Sequence, residues 1–274
     1  ILLISNYFPK PEKKQDAIFL YWRARELVKA GHSVTILKWN QNLKDYFKKP
    51  YNILDFKDPL FDVDISVIPI HTIQLKNIGH QNKRYKWIKN NFDIVHFHWL
   101  WSMTVFPSIK KWGIPFVVSC HGSDIYAMGE SFNEYALGRY LNKKVMTAQM
   151  NRLNSADHVT FVSKDIHKTA VKKGANPKHF SIVPNGISEI FNTKTRKQTK
   201  KIVIGFAGLL NTKKRADKLI EIFNNVLELI NVHEFLIIGE GILKNQIIED
   251  VRHFEMEDKV KFTGRVSAEK VADY

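Results

Sequence analysis

The chain of 274 residues has a single cysteine, Cys120. One thiol excludes an intramolecular disulfide and a multi-cysteine zinc site, and it suits a reducing compartment. Behind the apolar run FVVS it reads as a packing residue. Long hydrophobic runs are also missing. Nothing approaches the roughly 18 apolar residues that a spanning helix needs, and the opening ILLIS (1–5) lacks the basic lead-in and cleavage site of a secretory signal. It reads as the first strand of a cytoplasmic protein. Short-period repeats and long low-complexity segments are absent too. Acidic residues are in short supply, with 27 Asp+Glu against 42 Lys+Arg and a net charge of +15. Residues 1–185 hold 27 of the cations and 14 of the acids, so the first two thirds carry nearly all of the excess. Such a field favours anionic partners: nucleic acid, an anionic membrane surface or an acidic substrate.

What is present is a rhythm of short Val/Ile/Leu/Phe runs separated by helical lengths. ILLIS, SVTILKW (33–39), DISVIPI (64–70), DIVHF (93–97), PFVVS (115–119), HVTFV (158–162) and HFSIV (179–183) show little polar alternation. Parallel strands covered on both faces read in this way. Residues 17–30 form the clearest helix, with Ile18, Tyr21, Leu27 and Val28 near one face and Gly31 as its stop. Residues 40–62 are polar, basic and irregular, an expected excursion between elements. The polar run 192–201 reads as a linker, after which strand, loop and helix begin anew. The expectation is α/β: two facing Rossmann-like domains with a cleft between them.

Candidate chemistry gathers at the strand ends. Gly208 closes a strand, and Lys213, Lys214 and Arg215 are placed at the start of a helix running to Ile230. There they oppose the helix dipole, a conflict that a bound phosphate or diphosphate relieves. Gly239 and Gly241 follow the next strand, where missing side chains admit a ligand to the backbone. In the first domain SCHGSD (119–124) brings His121, Gly122 and Asp124 to the carboxyl end of a strand, where ligands of open α/β sheets bind. His121 and Asp124 are suited to sugar hydroxyls or to charge near a reacting centre; a loop-capping His and an N-cap Asp are the plainer reading. His96 and His98 share one strand face. No third ligand is assignable, so they line the cleft or the core and no metal is expected. PNG (184–186) is locally a turn.

Taken in order, DIVHFHW, HGSD, PNGISEIF, AGLLNTKKRADKLIEIF, IIGEG and VKFTGRVSAEKVADY resemble the retaining GT-B glycosyltransferases of family 4. The likeness runs through the whole chain. It implies an acceptor-side domain over 1–188, a linker over 189–200 and a nucleotide-sugar domain over 201–274 that is incomplete. It also implies transfer of a sugar with retained anomeric configuration from a UDP- or GDP-linked donor, with neither metal nor other cofactor. By position His121 corresponds to the histidine beside the donor sugar and Lys214 to the lysine on its diphosphate. Gly208 and Gly239 line the phosphate or nucleotide, and the backbone at Arg265 and Val266 faces the base. Asn185 and Gly186 match the exit from the first domain. The pattern is broken in three places. Leu209 stands where an arginine is common, so that Arg215 compensates or the diphosphate is held less tightly. The glycine-rich loop after the first strand is replaced by PKPEKKQDAIF (9–19), with Asp16 and Ala17 in the expected region and an altered acceptor or sugar pocket as the consequence. The paired-glutamate motif falls beyond VADY, which implies a fragment of a protein of roughly 350 to 400 residues, as two complete domains require, inactive alone.

The expected acceptor is a glycan or a lipid-linked glycan, as in bacterial capsule or lipopolysaccharide assembly. HQNKRYKWIKNNF (80–92) interleaves Lys83, Arg84, Lys86 and Lys89 with Tyr85 and Trp87, and Lys110, Lys111 and Trp112 repeat the theme. This suits docking at the inner membrane face, though a solvated basic surface is the plainer reading. Two alternatives remain at this point: a nucleotide-sugar 2-epimerase of the same architecture, and a nucleic-acid-binding protein. The scattered cations and the lack of a nucleic-acid motif speak against the latter.

Overall fold

A computed structural model describes residues 1–14, 16–39, 49–69, 81–127, 136–187, 189–191 and 201–274. The chain divides into two compact units, Ile1–Gly186 and Ile187–Tyr274. Most of the expected linker, 192–200, lies outside the described residues, and Glu189–Phe191 is a 3-10 turn of the second unit.

In the first unit, β1 (Leu2–Ser5), β2 (Thr35–Lys38), β3 (Tyr51–Asn52), β4 (Ser66–Pro69), β5 (Val95–His98), β6 (Phe116–Cys120), β7 (His158–Phe161) and β8 (Phe180–Ile182) form one sheet. Its order is β3-β4-β2-β1-β5-β6-β7-β8, parallel throughout except for the antiparallel β3. The order turns around at β1, which pairs with both β2 and β5. At such a switch point the connections leave to opposite sides and open a crevice above the strand ends. The helices are α1 (Ile18–Lys29), α2 (Gln81–Asn91), α3 (Ser123–Tyr126), α4 (Ala136–Asn154) and α5 (Lys164–Lys172).

Period-two alternation feeds two cores. Leu2, Ile4, Val95, Phe97, Phe116 and Val118 enter one cluster. Leu3, Ile36 and Val67 pack on the other face with Leu20, Tyr21 and Ala24 of α1. Each such side chain contributes about 1.5–3 kcal/mol on burial. Because Val95 and Phe97 fill the first core, His96 and His98 must share the face of α1. That helix is anchored by Tyr21 and Arg25, which both bond Asp62. It ends as the sequence indicates, with Gly31 at φ 90° donating to Val28 O.

The excursion expected over 40–62 needs correction. Residues 40–48 lie outside the described residues, but 51–56 are ordered as the edge strand β3 and a 3-10 turn. Asn52 and Asp55 cap each other's backbone, with Leu54 N donating to Asn52 at 2.9 Å and Asn52 N to Asp55 at 3.1 Å. Polar side chains that read as loop are here a capping box.

In the second unit β9 (Val203–Ala207), β10 (Glu234–Ile238) and β11 (Val260–Gly264) form a parallel sheet in the order β11-β10-β9. The helices α6 (Leu219–Leu229), α7 (Lys244–His253) and α8 (Ala268–Asp273) alternate with the strands. The core gathers Leu219, Ile220 and Phe223 of α6, Phe235 and Ile237 of β10, and Ile247 and Val251 of α7.

Candidate active site

In the first unit the ends of β5 and β6 carry the chemistry. Asp124, 3% exposed, accepts from three backbone amides: Leu100 N at 2.8 Å, His121 N at 3.0 Å and Gly122 N at 2.9 Å. It therefore clamps the HGSD turn to the segment after β5, with its carboxylate buried against backbone amides. Burial pushes its carboxyl up to about 6 against the pull of those amides. Gly122 sits at φ 107°, and a Cβ there would lie 3.3 Å from the Tyr126 ring, so the turn requires glycine.

His121 projects from this turn against His98. His98 Nδ1 and His121 Nε2 are 3.0 Å apart, and the rings of His96 and His98 stack at 4.2 Å. His98 Nε2 and His121 Nδ1 are buried without a partner among the described residues. Burial is the main force holding all three imidazoles well below their ordinary pKa, to about 3 for His96 and His121. The Arg23 cation depresses each further. Neutral rings carry one proton each, so the shared bond couples the tautomers: if His98 donates from Nδ1, His121 must hold its proton on Nδ1, and the reverse. The rings of Trp99 and Phe19 lie against His121 at 4.7 and 5.2 Å. Of its two nitrogens, Nδ1 is buried and Nε2 is engaged with His98. Phe19 belongs to the segment that stands in place of the glycine-rich loop, and its ring lies against His121.

Trp99 has φ 63°, a left-handed conformation for a bulky residue directly after His98. Asp16 pairs with Lys13 at 3.8 Å on the loop before α1, and Asn185 is exposed beyond β8. Neither is brought to the histidines by any described contact. A cavity of about 580 Å³ lined by Gly31, Ser33 and Asn91 opens at the amino ends of the strands, away from this edge.

In the second unit three loops meet at the carboxyl edge. Gly208 N donates to Ile238 O, Leu210 N to Glu240 O and Gly239 N to Gly264 O. A Cβ on Gly239 would fall 1.9 Å from Gly208 O, and one on Gly241 2.2 Å from Leu210 O. The space that the sequence reserved for a ligand at these two glycines is filled by neighbouring backbone. They are required by loop packing. The basic loop also differs from expectation. Thr212–Lys214 and Ala216–Lys218 are 3-10 turns, and α6 begins only at Leu219. Asn211 caps the first turn by accepting from Lys214 N at 3.0 Å, and Arg215 breaks it at φ 54°. The cations thus precede the helix, and the conflict with its dipole does not arise. Lys213 and Lys214 are exposed and form no ion pair with a described residue; Arg215 lies 3.7 Å from Asp217. Arg265 and Val266 follow β11, Arg265 exposed and Val266 half-buried. The ion pair of Glu240 and Lys244, at 2.7 Å beside Gly264, gave no signal in the sequence.

The aromatic part of the basic segment faces inward. Tyr85 is buried and stacks on Trp112, and Trp87 packs on Phe92. Lys110 is paired with Asp157, while Lys83, Lys86, Lys89 and Lys111 remain exposed; residue 80 and the side chain of Arg84 lie outside the described set. Tyr85 is therefore withdrawn from the surface, whereas Trp87 and Trp112 are half-buried. Among the described residues no helix is long and apolar enough to cross a membrane, and no group of three or more His, Cys, Asp or Glu is arranged to hold a metal ion.

The sequence model described as Glycosyltransferase Family 4 matches residues 19–189, and that of Glycosyl transferases group 1 matches 188–274. The chain belongs to glycosyltransferase family 4. No curated protein matches this glycosyltransferase in sequence. Solved structures share its fold. The HepE protein of Anabaena, in complex with UDP and glucose, is 14% identical with a TM-score of 0.60; 97% of this chain is covered and 69% of that one. Sucrose-phosphate synthase from Thermosynechococcus elongatus is 14% identical with a TM-score of 0.62 over 99% of this chain and 71% of that one. A glycosyltransferase from Rickettsia africae, also 14% identical, has a TM-score of 0.60 over 100% and 69%. This glycosyltransferase has the GT-B class of α/β fold.

Proposed function

We propose that this glycosyltransferase moves a sugar from a UDP- or GDP-linked donor to a glycan or lipid-linked acceptor with retention of configuration, in bacterial surface polysaccharide synthesis. The observation that carries the reading is the loop after β9. Lys213 and Lys214 stand there as exposed ammonium groups with no carboxylate partner among the described residues, at the carboxyl edge of the second sheet where open α/β folds receive ligands. By resemblance to the family, Lys214 corresponds to the lysine on the donor diphosphate. The family match favours transfer over the 2-epimerase and nucleic-acid readings.

In the proposed reaction the bond from the anomeric carbon to the diphosphate breaks, and a bond to the acceptor oxygen forms on the same face. The acceptor's proton passes to the departing diphosphate oxygen. Lys214 and nearby amides stabilise the negative charge that develops. Gly208, Gly239 and Gly241 shape the loops that hold the diphosphate, with Arg215 beside it and the backbone at Arg265 and Val266 toward the base. His121 steadies the donor sugar, for which a nitrogen must be uncovered by movement of Phe19 or exchange of the His98 bond. Exposed Lys83, Lys86 and Lys89 would hold the first unit near an anionic lipid surface by charge alone, at about 1 kcal/mol per cation near the surface. The test is nucleotide release from a panel of UDP- and GDP-sugars, with and without acceptor, and NMR of the product anomer. Release independent of acceptor, or an inverted product, would contradict the reading.

A further inference from the structure

Two arginines of α1 have opposite surroundings. Arg25 is answered by Asp62, with Nε 2.6 Å from the carboxylate. Arg23 has no acid at all among the described residues. Its one hydrogen bond runs from Nη1 to Ser119 Oγ, at 3.1 Å. Ser119 is fully buried and already engaged, its Oγ 2.7 Å from His96 Nε2 and 2.6 Å from Thr160 Oγ1. A hydroxyl with one proton and two lone pairs is saturated by these three neighbours and offers no counter-charge. The adjacent imidazoles of His96, His98 and His121 are neutral, and Asp124 serves three amides. Half-buried on α1 and bonded to Ser119 of β6, Arg23 is a cation without a counter-charge among the described residues, and burial holds its pKa below the ordinary value. A charge in this state costs free energy that a partner ion would offset. The side chain keeps partial exposure, which leaves an approach for an anion.

We propose that Arg23, braced by Ser119 and Thr160, is an anion-binding centre of the first unit that takes a carboxylate or phosphate group. The guanidinium fork presents parallel N–H donors that match two oxygens of either group. The cation excess of residues 1–185 draws anions toward it. That this anion belongs to the acceptor, as a uronic acid or a phosphorylated glycan, rests on the transferase reading; the binding centre does not.

The test needs no turnover. The chain labelled with 15N-arginine is titrated at constant ionic strength with inorganic phosphate, D-glucuronate and D-glucose, following the Arg23 Nε–H signal. A saturable shift with phosphate or glucuronate, and none with glucose, is expected, and the stronger of the two identifies the source. In Arg23→Gln, which keeps a donor toward Ser119, anion affinity read on the His96 ring should fall at least about tenfold, with Arg23→Lys between and Lys168→Ala, a change at an exposed lysine of α5, without effect. No saturable Arg23 shift with either anion, or equal affinity in Arg23→Gln, overturns the proposal. If the glutamine variant does not fold, the Arg23 signal of the unaltered protein decides alone. Anion binding without sugar transfer would separate failure of the functional reading from failure of this one.

Discussion

Replacing Asp124 by alanine should loosen the turn that carries His121. The carboxylate satisfies three amides, two of them, Leu100 N and Gly122 N, fully buried. A buried donor left unsatisfied costs about 1–3 kcal/mol, and water can reach the partly exposed His121 amide. The expected loss is therefore about 2–6 kcal/mol, or roughly 5–20 °C in Tm for a unit of this size. Asp124→Asn keeps one oxygen for His121 N and Gly122 N but turns an NH2 toward Leu100 N, so its cost should be about 1–3 kcal/mol. The pH dependence has a definite sign. Burial raises the folded pKa to about 6 from 3.8, so the folded state takes up the proton first and wild type gains on Asp124→Asn as the pH falls from 7 to 4, by up to about 3 kcal/mol. Urea denaturation of the three proteins across that range, with hydrogen exchange at the Leu100, His121 and Gly122 amides, makes the measurement. A loss below about 1 kcal/mol in Asp124→Ala, with those amides still protected, would refute the clamp.

Several other outcomes are expected. Gly239→Ala and Gly241→Ala drive a Cβ into backbone oxygens and should each cost more than about 3 kcal/mol by thermal denaturation. Gly31→Ala, at φ 90° in open space, should cost only about 1 kcal/mol; equal costs would remove the packing argument. Imidazoles held neutral by burial lend stability that is present above pH 6.5 and lost as the pH falls toward their folded pKa. His96, His98 and His121 should each contribute a slope of about 1.4 kcal/mol per pH unit below 6.5. Substituting His96 by Gln should remove one such share from urea titrations, and an unchanged slope would count against burial as the cause. His98→Leu should alter the His121 tautomer seen in 15N NMR while His98→Asn, which can still bond Nε2, preserves it. Flotation with anionic liposomes should weaken in a Lys83→Ala/Lys86→Ala/Lys89→Ala variant; binding that ignores these lysines would end the electrostatic docking idea.

The strands were legible because β1, β5, β6 and β7 lie inside the first sheet, where both faces are covered and every residue must be apolar or paired. HVTFV and PFVVS could hardly be anything else. Long-range geometry was not legible. Arg23 falls in a helix whose apolar positions are plain, yet nothing nearby in sequence says that its guanidinium meets Ser119, 96 positions later. The glycines after β10 were noticed for the right property, the missing Cβ, but the group that fills the space is the backbone after β9. Lys213 to Arg215 looked like a helix start because the Asn211 cap and the left-handed Arg215 leave no periodicity. Tyr85 and Ile88, three apart on one helix face, are buried while Trp87 is half-buried, and the lysine-rich pattern alone does not say which face is wet.

The most direct test of the central claim is turnover of nucleotide sugars by this protein, wild type against Lys214→Ala. Developing charge on a leaving diphosphate makes one such cation worth about 10²-fold or more in kcat. The account predicts acceptor-dependent release of UDP or GDP that falls by that factor in the variant while the fold is kept. Release that is undiminished in Lys214→Ala would contradict it.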